Sequence, residues 1–319
     1  MTDTTPQILN RADARDAEVG DYLALMKPRV MRLVVFTAFA AMVAAPAGVH
    51  PVIGFAALVC IAVGAGASGA LNMWWDADID AEMGRTRKRP IPAGRVEPSE
   101  ALGLGIGLSI LSVTTLAVVA NPLAAGLLAF TIFFYAVIYS VWLKRATPQN
   151  IVVGGAAGAF PPMIAWAAVT GEVSTASILM FAVIFFWTPP HFWALALFRN
   201  DDYTRVGVPM LPVVAGEAET RRQIWLYMLA LAPLPAVLAF TPAGGPLTFA
   251  AAIIATAAFT LRARAVARRG ETDARDDGYR AEKRLFGVSI VYLFAVFGAL
   301  IGDAALRALL GGLPWPVLL

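Results

Sequence analysis

Nine long apolar stretches, separated by short polar or proline- and glycine-rich connections, run through the chain. A helix that spans a bilayer needs about 20 consecutive apolar residues, and each stretch is close to that length. The pattern therefore predicts an all-α, polytopic membrane protein with nine transmembrane helices in a bundle. The predicted spans cover residues 30–49, 52–74, 101–120, 122–142, 150–169, 177–198, 223–241, 246–262 and 286–307.

The composition agrees with this class. Hydrophobic residues make up 59% of the chain and charged residues 15%, and the mean hydropathy is +0.68. Soluble domains carry about 25% charged residues. Cys60 is the single cysteine, and His50 and His191 are the two histidines. These counts exclude a disulfide framework and any metal site built from several cysteines or histidines.

Lysine and arginine are distributed unevenly among the connections. Of the 25 such residues, all except Arg307 lie in the N-terminal region, in the longer alternate connections or at helix ends on the same side. The positive-inside rule places that side in the cytoplasm, so we expect the N-terminus inside, the C-terminus outside and a polar cavity that faces the cytoplasm. The predicted organisation is a flexible cytoplasmic tail (1–29), a nine-helix domain (30–307) and a short non-cytoplasmic tail (308–319).

An acidic cluster follows the second stretch, in "NMWWDADIDAEMGRTRKRP". Asn72, Asp76 and Asp80 are spaced four residues apart, so a helix presents all three on one face, whereas Asp78 points elsewhere. The simpler interpretation is a solvated helix end. It is weakened because like charges four residues apart repel each other and charge is costly beside a membrane segment. Oxygen ligands of this kind favour Mg²⁺, which is typically bound by one or two carboxylates together with substrate phosphates.

Four bases come directly after these acids, in "GRTRKRPIP". Arginine matches phosphate oxygens with two parallel hydrogen bonds, so bases beside a Mg²⁺ site indicate a pocket for a diphosphate. Arg85 and Arg89 are the preferred candidates for this role. A plain positive-inside loop is the alternative, which explains the number of bases but not their position beside three aligned oxygens.

A second acidic segment follows the sixth stretch, in "FRNDDYTRVGVPMLPVV". Both acidic segments follow even-numbered spans, so they emerge on the same face of the bundle and could hold two Mg²⁺ ions around one diphosphate. Another solvated loop is the alternative. The candidate metal ligands here are Asp201 and Asp202, and the candidate substrate contacts are Tyr203 and Arg205.

Three further residues are candidate substrate contacts. Lys144, at the end of the fourth stretch, and Arg29, beside the first, could each meet a phosphate. His191 follows a Pro-Pro pair and is flanked by aromatic residues. Such a histidine is most often a hydrogen-bonded structural residue. The alternative is that its imidazole ligates a haem iron or orients a flat acceptor.

Several of these strings resemble the UbiA-type intramembrane prenyltransferases. "NMWWDADIDAEMGRTRKRP" is similar to the N-x-x-x-D-x-x-x-D motif of that family, which transfers a prenyl group from a diphosphate to an aromatic or tetrapyrrole acceptor. Four other strings resemble the branch that farnesylates protohaem IX: "KPRVMRLVVFTA", "NIVVGGAAGAFPPMIAWAAVTG", "WTPPHFWALAL" and "DDYTRVGVPMLPVV".

The resemblance implies a nine-helix enzyme of the bacterial cytoplasmic membrane that uses Mg²⁺, with farnesyl diphosphate and haem B as substrates. It implies Mg²⁺-diphosphate ligands at Asn72, Asp76, Asp80 and Asp202. Haem A synthase or other assembly proteins of haem-copper oxidases are candidate partners beside the lipid bilayer, and no nucleic acid is expected. The chain departs from the family's Y-x-x-x-K pattern, because Tyr139 and Lys144 are separated by one extra residue. It also lacks a second D-x-x-x-D, because Asp201 and Asp202 are adjacent.

Three alternative functions remain open. The first is prenylation of an aromatic quinone precursor such as 4-hydroxybenzoate. The second is a cation-coupled transporter, for which acidic residues near the centres of spans would be expected. The predicted spans carry none there. The third is a non-catalytic assembly factor for a haem-copper oxidase.

Overall fold

The computed structural model describes residues 17–199, 204 and 207–319, and these residues form helices and short connections without a β-strand. The helices are α1 (Val19–Leu25), α2 (Pro28–Ala44), α3 (Pro51–Trp75), α4 (Ala77–Glu82), α5 (Pro98–Val119), α6 (Pro122–Phe133), α7 (Asn150–Thr170), α8 (Thr175–Leu197), α9 (Leu211–Val214), α10 (Gly216–Leu231), α11 (Leu234–Leu238), α12 (Pro246–Ala267), α13 (Glu271–Asp276) and α14 (Arg280–Leu310). A π-helical segment (Phe134–Leu143) continues α6 without a break.

Proline fixes where many of these helices begin. The helices α2, α3, α5, α6 and α12 all carry proline at the first position, where the missing N–H costs no hydrogen bond. In α6 the preceding Asn121 completes the start, because its side-chain oxygen accepts a hydrogen bond from the backbone N–H of Ala124 at 2.9 Å. The proline-marked turns in the sequence therefore coincide with helix starts.

Within the described residues, seven helices are long and apolar enough to cross a membrane. They are Pro51–Trp75, Pro98–Val119, Pro122–Leu143, Asn150–Thr170, Thr175–Leu197, Pro246–Ala267 and Arg280–Leu310. The two other predicted spans differ from expectation. The first contains α2, which has only 17 residues. The seventh, 223–241, is not one helix, because α10 ends at Leu231 and α11 begins at Leu234 after Pro233. A proline at this point removes a backbone donor and interrupts the helix.

The long helices pack against each other in pairs, and the last helix packs against α2. The helix α3 packs on α5, α7 packs on α2 and α8, and α12 packs on α14. The helix α14 also contacts α2 and α8, so the last helix lies beside the first long helix. The result is a single helical bundle with a continuous apolar core.

Glycines in α3 allow the segment before α2 to lie against it. A Cβ atom at Gly66 would lie 2.6 Å from Cε of Met26, and one at Gly69 would lie 3.2 Å from the backbone oxygen of Leu25. The segment then turns sharply at Lys27, whose φ of 54° is unusual for a residue other than glycine. These glycines therefore allow the close approach that brings the Lys27 side chain to α3.

The opposite end of the bundle is held by hydrogen bonds to backbone groups. The buried carboxylate of Asp303 accepts hydrogen bonds from the backbone N–H groups of Leu247 and Thr248, at 3.0 and 2.8 Å, and so caps α12. The guanidinium of Arg307 donates to the carbonyl oxygens of Gly244, Ala243 and Ala44, at 2.7, 3.1 and 3.3 Å. Asp303 and Arg307 of α14 thus connect the C-terminal ends of α2 and α14 to the start of α12.

The C-terminal segment does not extend away from the bundle. The helix α14 continues to Leu310, three residues beyond the predicted end of the last span. Trp315 then stacks on Phe240, with ring centroids 5.3 Å apart, and donates its indole N–H to the carbonyl oxygen of Ala239 at 2.8 Å. The predicted tail (308–319) therefore contributes contacts of its own.

The contact between α3 and α5 gives a test of this packing. A Cβ atom at Gly105 would lie 2.7 Å from both Cγ and Cδ2 of Leu71, whereas one at Gly107 has no neighbour within 4 Å. We predict that Gly105→Ala overpacks this contact and lowers stability by about 1–3 kcal/mol. The measurement is thermal unfolding of the purified protein in detergent.

The matched control is Gly107→Ala on the exposed side of the same helix. Because it adds a methyl group in open space and removes a helix-weakening glycine, we expect it to leave stability unchanged or raise it by up to about 1 kcal/mol. Equal destabilisation by both variants would contradict the described packing of α3 on α5.

Candidate functional site

The first acidic cluster lies where α3 passes into α4. The backbone N–H of Asp76 donates to the carbonyl oxygen of Asn72 at 3.0 Å, and that of Asp80 donates to Asp76 at 2.8 Å. These bonds keep the helical register through the junction, so the three side chains share one face. All three are buried, with 4%, 1% and 3% of their surfaces exposed. Two carboxylates buried this deeply need positively charged or hydrogen-bonding partners.

Lys27 provides part of that compensation. Its ammonium group donates to the side-chain oxygen of Asn72 at 2.5 Å. Burial, together with the neighbouring cations Arg89 and Lys144, lowers the pKa of Lys27 to about 7 against the opposing effect of the two carboxylates. The turn before α2 thus delivers a cation to the acidic face of α3.

The π-helical segment after α6 supplies a second cation. Lys144 donates from Nζ to Oδ2 of Asp76 at 2.5 Å. Ser140 accepts a hydrogen bond from the side-chain N–H of Asn72 at 3.0 Å, and the same amide group also donates to Asp76 at 2.7 Å. The segment therefore fixes both Asn72 and Asp76.

The extra residue between Tyr139 and Lys144 has a structural reason. The backbone N–H of Lys144 donates to the carbonyl oxygen of Tyr139 at 2.8 Å, which is a bond across five residues. Five is the spacing of a π-helix, so the wider turn accommodates the additional residue. Lys144 is therefore not rotated away from the side of the helix on which Tyr139 lies. The insertion relative to the family pattern thus leaves the lysine on the face that meets Asp76.

A third cation comes from the loop after α4. Arg89 donates from Nη1 to Oδ2 of Asp80 at 2.6 Å. Thr86, also buried, donates its hydroxyl to the backbone carbonyl of Asp80 at 2.9 Å. The proline-containing loop is therefore anchored to the end of α4, and it returns Arg89 to the acidic face.

Asp78 lies on a different side, as the helical spacing predicts. Its carboxylate is 63% exposed and forms a two-pronged pair with Arg145, in which both N–O distances are 2.8 Å. The hydrogen bond from Arg145 holds the pKa of Asp78 below its usual range. Arg145 also lies 5.9 Å from the centroid of the Trp75 ring. The pair lies at the exposed edge of the cluster, and Nη2 of Arg145 also approaches Oδ1 of Asp76 at 3.9 Å.

The structure does not bring two predicted phosphate contacts to this cluster. Arg29 and Arg85 are exposed, and neither forms an ion pair with another residue in the described part of the chain. The predicted roles of these two residues stay predictions. Four other predicted site residues lie outside the described residues: Asp201, Asp202, Tyr203 and Arg205.

The chain that follows the second acidic segment returns to the first cluster. Gly207 and Val208 line a cavity of about 200 Å³ together with Asp78, Glu82 and Arg145. The next residue, Pro209, accepts a hydrogen bond from the side-chain amide of Asn150 at 3.5 Å, and the same amide donates to the backbone oxygen of Lys144 at 3.1 Å. Residues 207–209 thus lie beside the elements that carry the first cluster.

The residues on this face suit a divalent cation shared with a ligand. The Oδ1 atom of Asp76 is buried and accepts no hydrogen bond from the described residues, although Nη2 of Arg145 lies 3.9 Å away, so one carboxylate oxygen is available to a metal. No three Asp, Glu, His or Cys side chains in the described ranges are grouped to hold an ion. Two carboxylates and an amide leave coordination positions for water and phosphate, which is the mode that Mg²⁺ prefers.

His191 lies away from the acidic cluster, in α8. Its imidazole is buried and forms a 2.6 Å hydrogen bond with the hydroxyl of Ser289 in α14. It stacks between Trp187 and Phe286, with centroid distances of 4.4 and 4.5 Å. The ring is thus held in one orientation by aromatic contacts on both sides.

Sequence reasoning missed three residues of the first cluster: Lys27, Ser140 and Thr86. Lys27 had a usable signal, because a lysine directly before a proline marks a base fixed at the start of a helix. Ser140 lies inside an apolar span, where a hydroxyl is unremarkable. Its contact depends on the π-helical turn, which the hydrophobic pattern does not reveal.

Known proteins resemble the chain over nearly its whole length. The model of the UbiA prenyltransferase family matches residues 33–290. The chain is 59% identical over 307 residues to a protoheme IX farnesyltransferase of Jannaschia sp. (strain CCS1), covering 96% of this chain and 99% of the relative. It is 61% identical over 298 residues to one of Roseobacter denitrificans, covering 93% of this chain and 95% of the relative.

Solved structures show the same fold. A structure of digeranylgeranylglyceryl phosphate synthase superposes with a TM-score of 0.71 at 14% identity, covering 89% of this chain and 98% of that one. A UbiA homologue from Archaeoglobus fulgidus bound to DMAPP and Mg²⁺ superposes with a TM-score of 0.63 at 17% identity, covering 86% and 99%.

The pair of Lys144 and Asp76 can be tested without any ligand. We predict that Lys144→Met lowers stability by about 2 kcal/mol, because it leaves the buried Asp76 carboxylate without its nearest cation. The double variant Lys144→Met/Asp76→Asn removes both charges and should recover most of the loss. Thermal unfolding in detergent measures both effects.

The exposed pair of Arg145 and Asp78 is the control. Because solvent screens this pair, Asp78→Asn, which leaves Asp76 and its cations unchanged, should change stability by no more than about 1 kcal/mol. If the double variant at Lys144 and Asp76 were as unstable as the single one, the two charges would not be coupled as described.

Proposed function

Because the chain belongs to the UbiA prenyltransferase family, we propose that it transfers a farnesyl group from farnesyl diphosphate to a vinyl group of haem B, forming haem O. The observation that carries the transfer chemistry is the convergence of Lys27, Arg89 and Lys144 on the acidic face of α3 and α4. The choice of acceptor follows the names of the close relatives.

The reaction begins with ionisation of an allylic carbon–oxygen bond, which leaves negative charge on the departing diphosphate. Donors fixed where this charge develops are the largest source of rate enhancement in such reactions. The three cations each pair with an oxygen of the cluster at 2.5–2.6 Å. In our proposal each exchanges this partner for a phosphate oxygen when the diphosphate binds.

The cluster's own oxygens hold the metal. We assign Asn72, Asp76 and Asp80 as ligands, with Asp202 and its neighbour Asp201 completing the site from the second acidic segment. When bound, Mg²⁺ neutralises the diphosphate and polarises the bond that breaks. Ser140 keeps the Asn72 amide directed at Asp76, which presents the Asn72 oxygen to the site. Arg29, Arg85, Tyr203 and Arg205 are further proposed substrate contacts.

The addition of the farnesyl group to the haem vinyl group needs no strong base. The first carbon of the farnesyl cation bonds to the terminal vinyl carbon, and water captures the cation that forms next to the porphyrin and loses a proton. The product carries a hydroxyethyl-farnesyl side chain, and diphosphate is released. His191 is the proposed contact of the haem, because its ring lies in an aromatic stack in α8.

We further propose the membrane arrangement that the sequence predicts. All nine apolar stretches span the bacterial cytoplasmic membrane, with α2 and the broken pair α10 and α11 supplying two of the spans. The N-terminus and the acidic cluster then face the cytoplasm and the C-terminus lies outside. Residues 1–29 form the cytoplasmic tail, 30–307 the catalytic domain and 308–319 the outer tail. Haem A synthase or other oxidase assembly proteins are proposed partners.

The test of the function uses purified protein in lipid with Mg²⁺, haem B and farnesyl diphosphate. We predict a more hydrophobic haem on chromatography, whose formation stops when the divalent metal is chelated. Asp76→Asn should lower the rate at least about a hundredfold, because it removes charge from the metal ligand. Asp78→Asn, two residues away, should retain activity within about threefold, since surface charges contribute little.

Other products would contradict the proposal in different ways. Prenylation of labelled 4-hydroxybenzoate with unchanged haem would support the quinone-precursor alternative. Ion flux without a prenylated product would support a transporter. Absence of both, with restored haem-copper oxidase assembly in cells, would support an assembly factor.

The role of Lys27 makes a separate prediction. Its replacement by methionine removes a charge-assisted contact to the diphosphate, so we expect the KM for farnesyl diphosphate to rise about tenfold or more. The steady-state rate at varied farnesyl diphosphate measures this. Lys88→Met removes an exposed base of the neighbouring loop and is the control. An unchanged KM for Lys27→Met would exclude Lys27 from diphosphate binding.

A further inference from the structure

Ser289 contacts three groups in the interface between α8 and α14, two through its hydroxyl and one through its backbone carbonyl. It lies 2.6 Å from Nδ1 of His191 and 2.6 Å from the backbone carbonyl oxygen of Phe286. The backbone carbonyl of Ser289 itself accepts the indole N–H of Trp187 at 2.7 Å. Both helices are therefore tied together at this serine, through its side chain and its backbone.

The Ser289 hydroxyl has one proton, and its two 2.6 Å contacts decide which of them this proton occupies. A carbonyl oxygen cannot donate, so the 2.6 Å contact with Phe286 requires the serine proton to lie between the two oxygens. The serine oxygen is then left as an acceptor toward Nδ1 of His191. The imidazole nitrogen must carry the proton of that bond, which makes His191 the Nδ1–H tautomer.

The opposite nitrogen of the ring is consequently an unprotonated lone pair. Nε2 forms no hydrogen bond with the described residues, and it is not among the fully enclosed polar atoms that lack a partner. The aromatic rings of Trp187 and Phe286 cover the two faces of the imidazole, and Phe192 lies perpendicular to it with ring centroids 5.2 Å apart, so a ligand can reach the ring only at an edge. A neutral imidazole with a free nitrogen is the form that binds iron.

We propose that Ser289 is a positioning residue, which holds His191 in the Nδ1–H tautomer and so presents Nε2 to the iron of the haem acceptor. The part that concerns haem rests on the proposed function, whereas the tautomer does not. A group that fixes the second nitrogen of a ligating histidine typically changes metal affinity by about 10–100-fold when it is removed.

The tautomer can be read directly by nitrogen NMR of protein labelled with ¹⁵N-histidine. The chain has only two histidines, and His50→Asn removes the other one while keeping a residue that can cap α3. In this background we expect His191 to show a protonated Nδ1 and an unprotonated Nε2. Ser289→Ala should allow the Nε2–H form to appear, and Ser289→Thr, which keeps the hydroxyl, should restore the original signals.

A protonated Nε2 in the His50→Asn protein, or signals that Ser289→Ala leaves unchanged, would overturn the assignment. The bond from Trp187 uses the backbone oxygen and survives both substitutions, so it continues to hold α8 against α14. Recovery of the signals by threonine separates loss of the hydroxyl from general loss of packing.

The second measurement is titration of the same variants with haem B, followed by the Soret absorption. We expect Ser289→Ala to weaken haem binding about 10–100-fold and to alter the ligand-sensitive bands, while Ser289→Thr binds within about threefold of the parent. Unchanged affinity and bands in Ser289→Ala would overturn the role in acceptor binding. If the parent protein makes no farnesylated haem, the proposed function fails, and the NMR result still decides the tautomer.

Discussion

The structure depends on the cost of burying negative charge at the end of a membrane helix. Asp76 and Asp80 are almost completely enclosed, and a carboxylate in such a place is tolerated only with charged or strongly hydrogen-bonded partners. Three separate parts of the chain therefore converge there: the turn before α2, the loop after α4 and the π-helical segment. Each part carries a cation, and each is held in place by local packing or hydrogen bonds. The connections around the site bring these three cations to the buried carboxylates and the amide of Asn72.

The local interactions that position the three cations differ from one another. Glycines in α3 leave room for the turn that carries Lys27, and a buried threonine fastens the loop that carries Arg89. The wider π-helical turn keeps Lys144 in reach of Asp76 despite an extra residue. A π-helical turn within an α-helix is uncommon and is often found at functional sites. Here the π-helical segment places both Lys144 and Ser140 against the cluster.

Much of the molecule could be predicted from its sequence, for identifiable reasons. The shared face of Asn72, Asp76 and Asp80 follows from helical spacing alone, and so does the separate direction of Asp78. The helical class and the family follow from apolar length and from motif strings, and both were confirmed. The break at Pro233 was missed because an apolar window does not register how a proline interrupts hydrogen bonding. The contacts of Lys27 and Ser140 were missed because they join segments that are distant in sequence, where periodicity carries no information.

The two ends of the bundle are held by different kinds of bond. At the end opposite the acidic cluster, Arg307 and Asp303 bind backbone groups, which have no alternative partner in a ligand. At the cluster, the bonds join side chains whose charges a diphosphate could take over. The bonds of Arg307 stay in place when a diphosphate takes over the partners of the cluster cations, because backbone carbonyl oxygens do not exchange with such a ligand. Arg307 therefore keeps the ends of α2 and α14 beside the start of α12 whichever partners the cluster has.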